Sequence, residues 1–176
     1  MRKRTPLIVA LVALVAGSLS AQVTREDVPG IRNYSRVDAS IGCGGAVDPA
    51  AMAILRKEGY VSVINLRLAS EQGADVSAGR AAAEAAGLEY FHLPFDSSAP
   101  DSDLVMTFLD TVADTANQPV FIHCGSANRV GAVWMIKRVL QDGWALDRAQ
   151  TEAEAIGLQS PQLLAFAKTY ISEHGR

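Results

Sequence analysis

Apolar positions in this chain recur with two periods. Tyr60-Val61-Ser62-Val63-Ile64-Asn65-Leu66, Leu88-Glu89-Tyr90-Phe91-His92-Leu93 and Pro119-Val120-Phe121-Ile122 are short runs rich in β-branched and aromatic residues, as expected of strands covered on both faces. Between and after them the spacing changes to three or four. Pro49–Lys57, Ser77–Ala86, Asp101 or Ser102 to about Ala116, Arg129–Gln141, Leu146–Ile156 and Ser160–Glu173 predict helices with one apolar stripe each. Asp48 is a candidate cap ahead of Pro49. Residues 22–45 predict an extended lead-in with short strands around Tyr34 to Val37, and Gly42, Gly44 and Gly45 around Cys43 predict a tight turn.

Strand–helix alternation closed by two helices predicts an α/β fold, a small, mostly parallel sheet flanked by helices. Such sheets bind ligands beyond the carboxyl ends of their strands. The segment after Ile122 lies at such an end.

The N-terminus follows neither period. Arg2, Lys3 and Arg4 precede the aliphatic stretch Leu7–Ala16 and the small residues Gly17–Ala21. This order predicts a secretory signal peptide over 1–21, too short in its apolar part to span a bilayer. Residues 22–176 then form one domain in the periplasm or outside the cell, with no stable membrane anchor. Removing the three basic residues takes the formal charge from −3 to −6, which argues against nucleic acid as a partner. Cys43 and Cys124 are too few for a disulfide scaffold, and with His92, His123 and His174 scattered around them they form no metal set. No cofactor or metal is expected.

The chemistry concentrates in His123-Cys124-Gly125-Ser126-Ala127-Asn128-Arg129. A buried strand ends at Ile122 and a helix begins near Arg129. Small residues between them let successive N–H groups curl inward as a nest, to which the helix N-terminus adds donors and the positive end of its dipole. An oxyanion fits there, and Arg129 adds a charged fork. Cys124 at the mouth has the surroundings that turn a thiol into a nucleophile. The competing reading of Cys124 is a small buried hydrophobe.

This loop resembles the signature of the cysteine-dependent phosphatase superfamily, dual-specificity phosphatases included. A closer resemblance is to a bacterial phosphatase-like family related to the domain fused to NAD kinase-like proteins. Val63–Arg67, Glu71, Ala86–Tyr90, Leu93-Pro94-Phe95, Pro119–Cys124 and Asn128–Trp134 carry the likeness. The resemblance implies Cys124 as the nucleophile on phosphorus, Arg129 as the binder of phosphoryl oxygens and Asp96 as the general acid. It implies a phosphate cradle built from the backbone of Gly125, Ser126, Ala127 and Asn128. Read from the residues alone, His123 points away from Cys124 where the strand persists and holds the loop's shape, and Arg67 is a candidate to reach the anion. The partner would be a phosphorylated protein or a small phosphate ester, hydrolysed without metal.

Two features depart from the superfamily. Four residues separate Cys124 from Arg129 where five are usual, which also looks like a rhodanese-type sulfurtransferase loop. Val130 stands where phosphatases carry Ser or Thr. A persulfide-carrying sulfurtransferase and a non-catalytic oxyanion- or partner-binding domain are therefore the alternatives. Asp96 is also a turn former, and Arg67 with Glu71 also reads as a salt-bridged loop. Cys43 is a candidate resolving thiol for Cys124.

Overall fold

The computed structural model describes residues 23–175, so the expected signal peptide lies outside the described residues. Six strands form one sheet: β1 (Thr24–Arg25), β2 (Ser35–Arg36), β3 (Ile41–Gly44), β4 (Ser62–Asn65), β5 (Glu89–His92) and β6 (Val120–His123), in the order β1-β2-β3-β6-β4-β5. β3, β6, β4 and β5 run parallel, and β1 and β2 extend the sheet antiparallel at one edge. The fold is the α/β arrangement expected from the alternation. Among the described residues, no helix is long and apolar enough to cross a membrane.

Six helices cover the sheet: α1 (Met52–Lys57), α2 (Val76–Ala85), α3 (Ser102–Ala113), α4 (Asn128–Leu140), α5 (Leu146–Ile156) and α6 (Pro161–His174). Alternation along β6 assigns the two faces, because successive side chains of a strand point to opposite sides. Val120, Ile122 and Cys124 belong to the core shared with α3–α6. Phe121 belongs to the other core, built from Tyr34, Met52, Leu55, Tyr60, Ala83 and Tyr90. α4 lies innermost, with Arg129 through Ile136 all buried.

The helix ends follow local chemistry. Asp75 accepts from the Ala78 N–H (2.9 Å) and Asp101 from the Asp103 N–H (2.9 Å), while Ser160 caps α6 ahead of Pro161, each satisfying a donor the helix leaves open. Asp48 makes no side-chain cap bond. α3 stops at Ala113, short of Ala116, because Asp114 leaves the helical region and starts a 3-10 turn over Thr115–Asn117.

One expectation is corrected. The glycines around Cys43 form no turn: Ile41–Gly44 is a fully buried strand between β2 and β6. The glycines there serve close approach. A methyl group on Gly42 would collide with the Tyr60 hydroxyl, and one on Gly44 would stand 2.8 Å from the Phe121 ring.

Candidate active site

Cys124 follows β6 directly and is 1 % exposed. Its N–H donates to the Gly44 carbonyl (3.3 Å), which continues the β3–β6 ladder by one residue. The chain then turns sharply into α4. Ala127 takes φ +73°, a left-handed value for a residue with a side chain, and such strain is sustained only where neighbours fix it. Gly157, at the end of α5, presses on this point: a methyl group there would lie 3.0 Å from the Ala127 Cβ.

The loop's outward-facing groups are occupied by the surrounding structure. The Gly125 carbonyl accepts from Ala46 N–H (3.2 Å) and the Ser126 carbonyl from Asn33 Nδ2 (3.4 Å). Asn128 Oδ1 accepts from the N–H groups of Gln159 (2.7 Å) and Ser160 (2.8 Å). Among the described residues, nothing accepts from the backbone N–H groups of Gly125 through Arg129. With carbonyls turned out and donors left over, the loop is a nest with the polarity to hold an oxyanion.

Arg129 completes it from α4, 7 % exposed. Nη1 donates to the carbonyls of Leu66 (3.1 Å) and Phe95 (3.0 Å) and to Glu71 Oε1, and Nη2 donates to Glu71 Oε2 (2.8 Å). Nε and one Nη2 hydrogen are left for a ligand. A methyl group on Gly125 would lie 3.5 Å from both Arg129 Nη2 and Glu71 Oε2, so this end of the guanidinium fronts the loop. Burial works against the Arg129 charge, but Glu71 and the neighbouring Cys124 sulfur outweigh it and raise the pKa above the ordinary arginine value.

Glu71 is the residue that sequence reasoning underweighted. Its carboxylate also accepts from the Leu68 N–H (2.8 Å) and from Arg67 Nε (3.2 Å). Burial opposes its charge, yet the bond from Arg129, then the Leu68 N–H and the remaining arginine interactions, bring its pKa down to about 2. The Arg67–Glu71 pair is legible in the sequence as a salt-bridged loop. The clamp on Arg129, a residue distant in sequence, left no local signal.

Three expected site residues stand elsewhere. Arg67 is engaged within its own loop, by Glu71 and by the carbonyls of Gln72 (2.8 Å) and Gly73 (2.9 Å). His123 points to the face opposite Cys124, stacks on Phe121 with ring centroids 6.3 Å apart, and has neither ring nitrogen in a hydrogen bond. Burial, then the Arg67 charge, press its pKa down to about 3, so it is a neutral imidazole on the sheet face opposite Cys124. Cys43 is opposite Ile122 in register, two residues behind Cys124. Strand spacing and rise then separate the two Cα atoms by roughly 8 Å, beyond a disulfide's span unless the backbone moves. Both thiols are free and buried, and burial pushes the Cys43 pKa well up.

Asp96 follows Phe95, whose carbonyl holds Arg129. Its Oδ1 accepts from Ser98 Oγ (2.7 Å) and Ser98 N–H (2.8 Å), and these two bonds, with the Arg129 charge adding, lower its pKa. It is held as a carboxylate in a turn at the site's edge. Among the described residues, no group of three or more His, Cys, Asp and Glu side chains is placed to hold a metal ion.

Comparison with known proteins agrees with this architecture. The family model described as beta-lactamase hydrolase-like protein, phosphatase-like domain, matches residues 33–141. A DUF442 protein from Shewanella putrefaciens CN-32 superposes with a TM-score of 0.70 at 21 % identity, covering 84 % of this chain and 96 % of that one. P. aeruginosa TpbA, solved in complex with pTyr, gives 0.67 at 20 % identity over 90 % and 93 %. The core catalytic domain of the PP-IP phosphatase SIW14 from S. cerevisiae gives 0.67 at 21 % over 82 % and 88 %. At these identities the likeness establishes a cysteine-phosphatase-like fold. A search of curated proteins finds no match.

Proposed function

The chain belongs to the family of the phosphatase-like domain of beta-lactamase hydrolase-like proteins, and from that premise we propose that it hydrolyses phosphate monoesters through a cysteinyl-phosphate intermediate. One observation carries the reading. The unpartnered N–H groups of Gly125 to Arg129 follow Cys124 directly along the loop, and the guanidinium that keeps two spare donors fronts the same loop. They suit the equatorial oxygens of a phosphoryl group, whose charge they stabilise in transit.

In the first step the Cys124 sulfur forms a bond to phosphorus as the ester P–O bond breaks, and Asp96 gives its proton to the leaving oxygen. In the second, water attacks phosphorus, its proton passes to Asp96, the S–P bond breaks and inorganic phosphate departs. The turn that lowers the Asp96 pKa suits the second step. The first requires the carboxyl to leave Ser98 and take up a proton, which a bound dianion beside it favours. Substrates of this class are phosphorylated proteins and small esters. With the leader read as a signal peptide, residues 22–176 are the working domain, in the periplasm or outside the cell. The finer kinship to domains joined to NAD kinase-like proteins carries no part of this reading.

The purified protein, free of added metal, is expected to hydrolyse p-nitrophenyl phosphate. Cys124→Ser should abolish turnover, and Asp96→Asn should slow it. Absence of turnover, or turnover that survives Cys124→Ser, overturns the proposal. The four-residue interval between Cys124 and Arg129 favours one second reading, a sulfurtransferase with a persulfide on Cys124. Thiocyanate formation from thiosulfate and cyanide, with a sulfur adduct on Cys124 by mass, would select it.

A further inference from the structure

We propose, resting on the phosphatase reading, that Arg32 forms a second anion subsite on the rim of the Cys124 loop and selects phosphate esters that carry another negatively charged group beside the phosphate to be cleaved.

Arg32 belongs to the segment that buttresses the loop. Its N–H donates to the Ala46 carbonyl (2.9 Å) and its carbonyl accepts from Gly45 N–H (2.6 Å), while Ala46 N–H in turn holds Gly125 and Asn33 holds Ser126. Its side chain starts close to the loop. A methyl group on Gly45 would stand 3.3 Å from the Arg32 Cβ and 3.0 Å from the Gly125 carbonyl oxygen. The backbone at Arg32 is thus fixed relative to the nest, and a long flexible arm leads from it.

The arm carries an uncommitted charge. Among the described residues, Arg32 is the one arginine whose guanidinium has no hydrogen bond, ion pair or aromatic face. Arg25, Arg36, Arg56, Arg67, Arg80, Arg129, Arg138 and Arg148 all have one. Arg32 is exposed, and the nearby Asp48 forms no ion pair with it. An exposed guanidinium prefers a planar or tetrahedral oxyanion that it meets with two parallel N–H groups.

The other residues bordering the loop, Asn33, Glu71, Asp96, Gly157 and Gln159, are not aromatic. Two of these residues, Glu71 and Asp96, are carboxylates, and Arg32 is the exposed cation beside them.

The test compares inorganic phosphate with methylenediphosphonate, a non-hydrolysable ion with two adjacent anionic groups, as competitive inhibitors of p-nitrophenyl phosphate turnover. Wild type should bind the diphosphonate more tightly than phosphate. Arg32→Ala should reduce that preference about fivefold, the worth of one exposed ion pair at its upper range. Arg32→Lys should recover part of it, and Arg32→Glu should reverse it. Equal affinities in wild type, or an unchanged preference in Arg32→Ala, overturns the subsite. Calorimetric titration of both ions into wild type and Cys124→Ser requires no turnover and separates the two proposals. An Arg32-dependent preference without ester hydrolysis keeps the subsite and removes the hydrolase reading. Hydrolysis without the preference does the reverse.

Discussion

The two ends of α4 each bury an arginine to the same depth, Arg129 and Arg138, both 7 % exposed, and treat it in opposite ways. Arg138 donates four of its five N–H hydrogens to three carboxylates. Nε and Nη2 donate to Glu152 (2.7 and 3.1 Å), Nη1 to Asp142 (3.0 Å) and Nη2 to Asp38 (3.1 Å). The plane also lies over Trp134 and Trp144, at 4.7 and 4.3 Å from the ring centroids. It sits at the helix C-terminus, where the dipole favours a cation. Arg129 sits at the N-terminus, where the dipole opposes it. It has one carboxylate, shared with Arg67, and keeps two donors free. The first arrangement closes a structure by pinning α5 and the β2–β3 turn to α4. The second leaves donors unspent at the loop where the proposed phosphoryl group would bind, as a binding site needs and a structural ion network does not.

The contrast can be broken by removing each arginine in turn. Arg138→Ala leaves Glu152, Asp38 and Asp142 without their shared cation, and should cost about 3–5 kcal/mol in urea unfolding, the range for breaking a buried pair from one side. The activity of the molecules that remain folded should be retained. Arg129→Ala should cost less stability, about 1–3 kcal/mol for the carbonyls and carboxylate left open. Its turnover of p-nitrophenyl phosphate should fall by about 10²–10³, as for loss of an oxyanion donor. Equal stability losses and equal activity losses for the two variants would show that the ends of α4 are not differentiated.

What was legible in the sequence follows the same division between local and distant causes. The strand–loop–helix unit around Cys124 is contiguous, and small residues between a β-branched run and a three-four pattern specify it. The parallel sheet followed from alternation for the same reason. β3 was read as a turn because Gly42, Gly44 and Gly45 carry a turn's composition, and only the Tyr60 and Phe121 side chains, packed from elsewhere in the chain, explain why glycines occupy a central strand. Arg67, His123 and Asn128 lie in or near the motif, yet where their side chains go is decided by partners that no local pattern announces: the 71–73 loop, the opposite core and the 159–160 loop. Arg32 carries no sequence signal, since a single exposed arginine has no pattern at all.

Acid sharpens the comparison at the Arg129 end. The Glu71 pKa is depressed from 4.5 to about 2 by its arginine and backbone partners, against burial. A depressed carboxylate contributes stability that is fully present above its unfolded value and is lost as pH falls through the folded one. The Glu71 contribution should therefore be intact above pH 4.5 and drain away between 4.5 and about 2. It should amount to about 3 kcal/mol at neutral pH. Urea midpoints of wild type and Glu71→Gln measured from pH 7 downward should differ at neutral pH and converge across that window. Parallel curves would mean that Glu71 adds no net stability through its charge.

The smallest effect concerns how the nest is held. Asn128 Oδ1 takes the N–H groups of Gln159 and Ser160 and thereby ties the α5–α6 loop to the first residue of α4. Asn128→Ala removes both bonds and should cost about 1–2 kcal/mol. Turnover should drop about fivefold, because the donors around Cys124 lose one side of their support and the orientation they supply is part of the rate. Asn128→Asp keeps the acceptor and should keep most of the stability, but it places a carboxylate beside the oxyanion and should raise KM more than it lowers kcat. If Asn128→Asp instead loses stability as Asn128→Ala does while KM stays at the wild-type value, the two accepted bonds are not what holds the loop and the side chain lies away from the oxyanion.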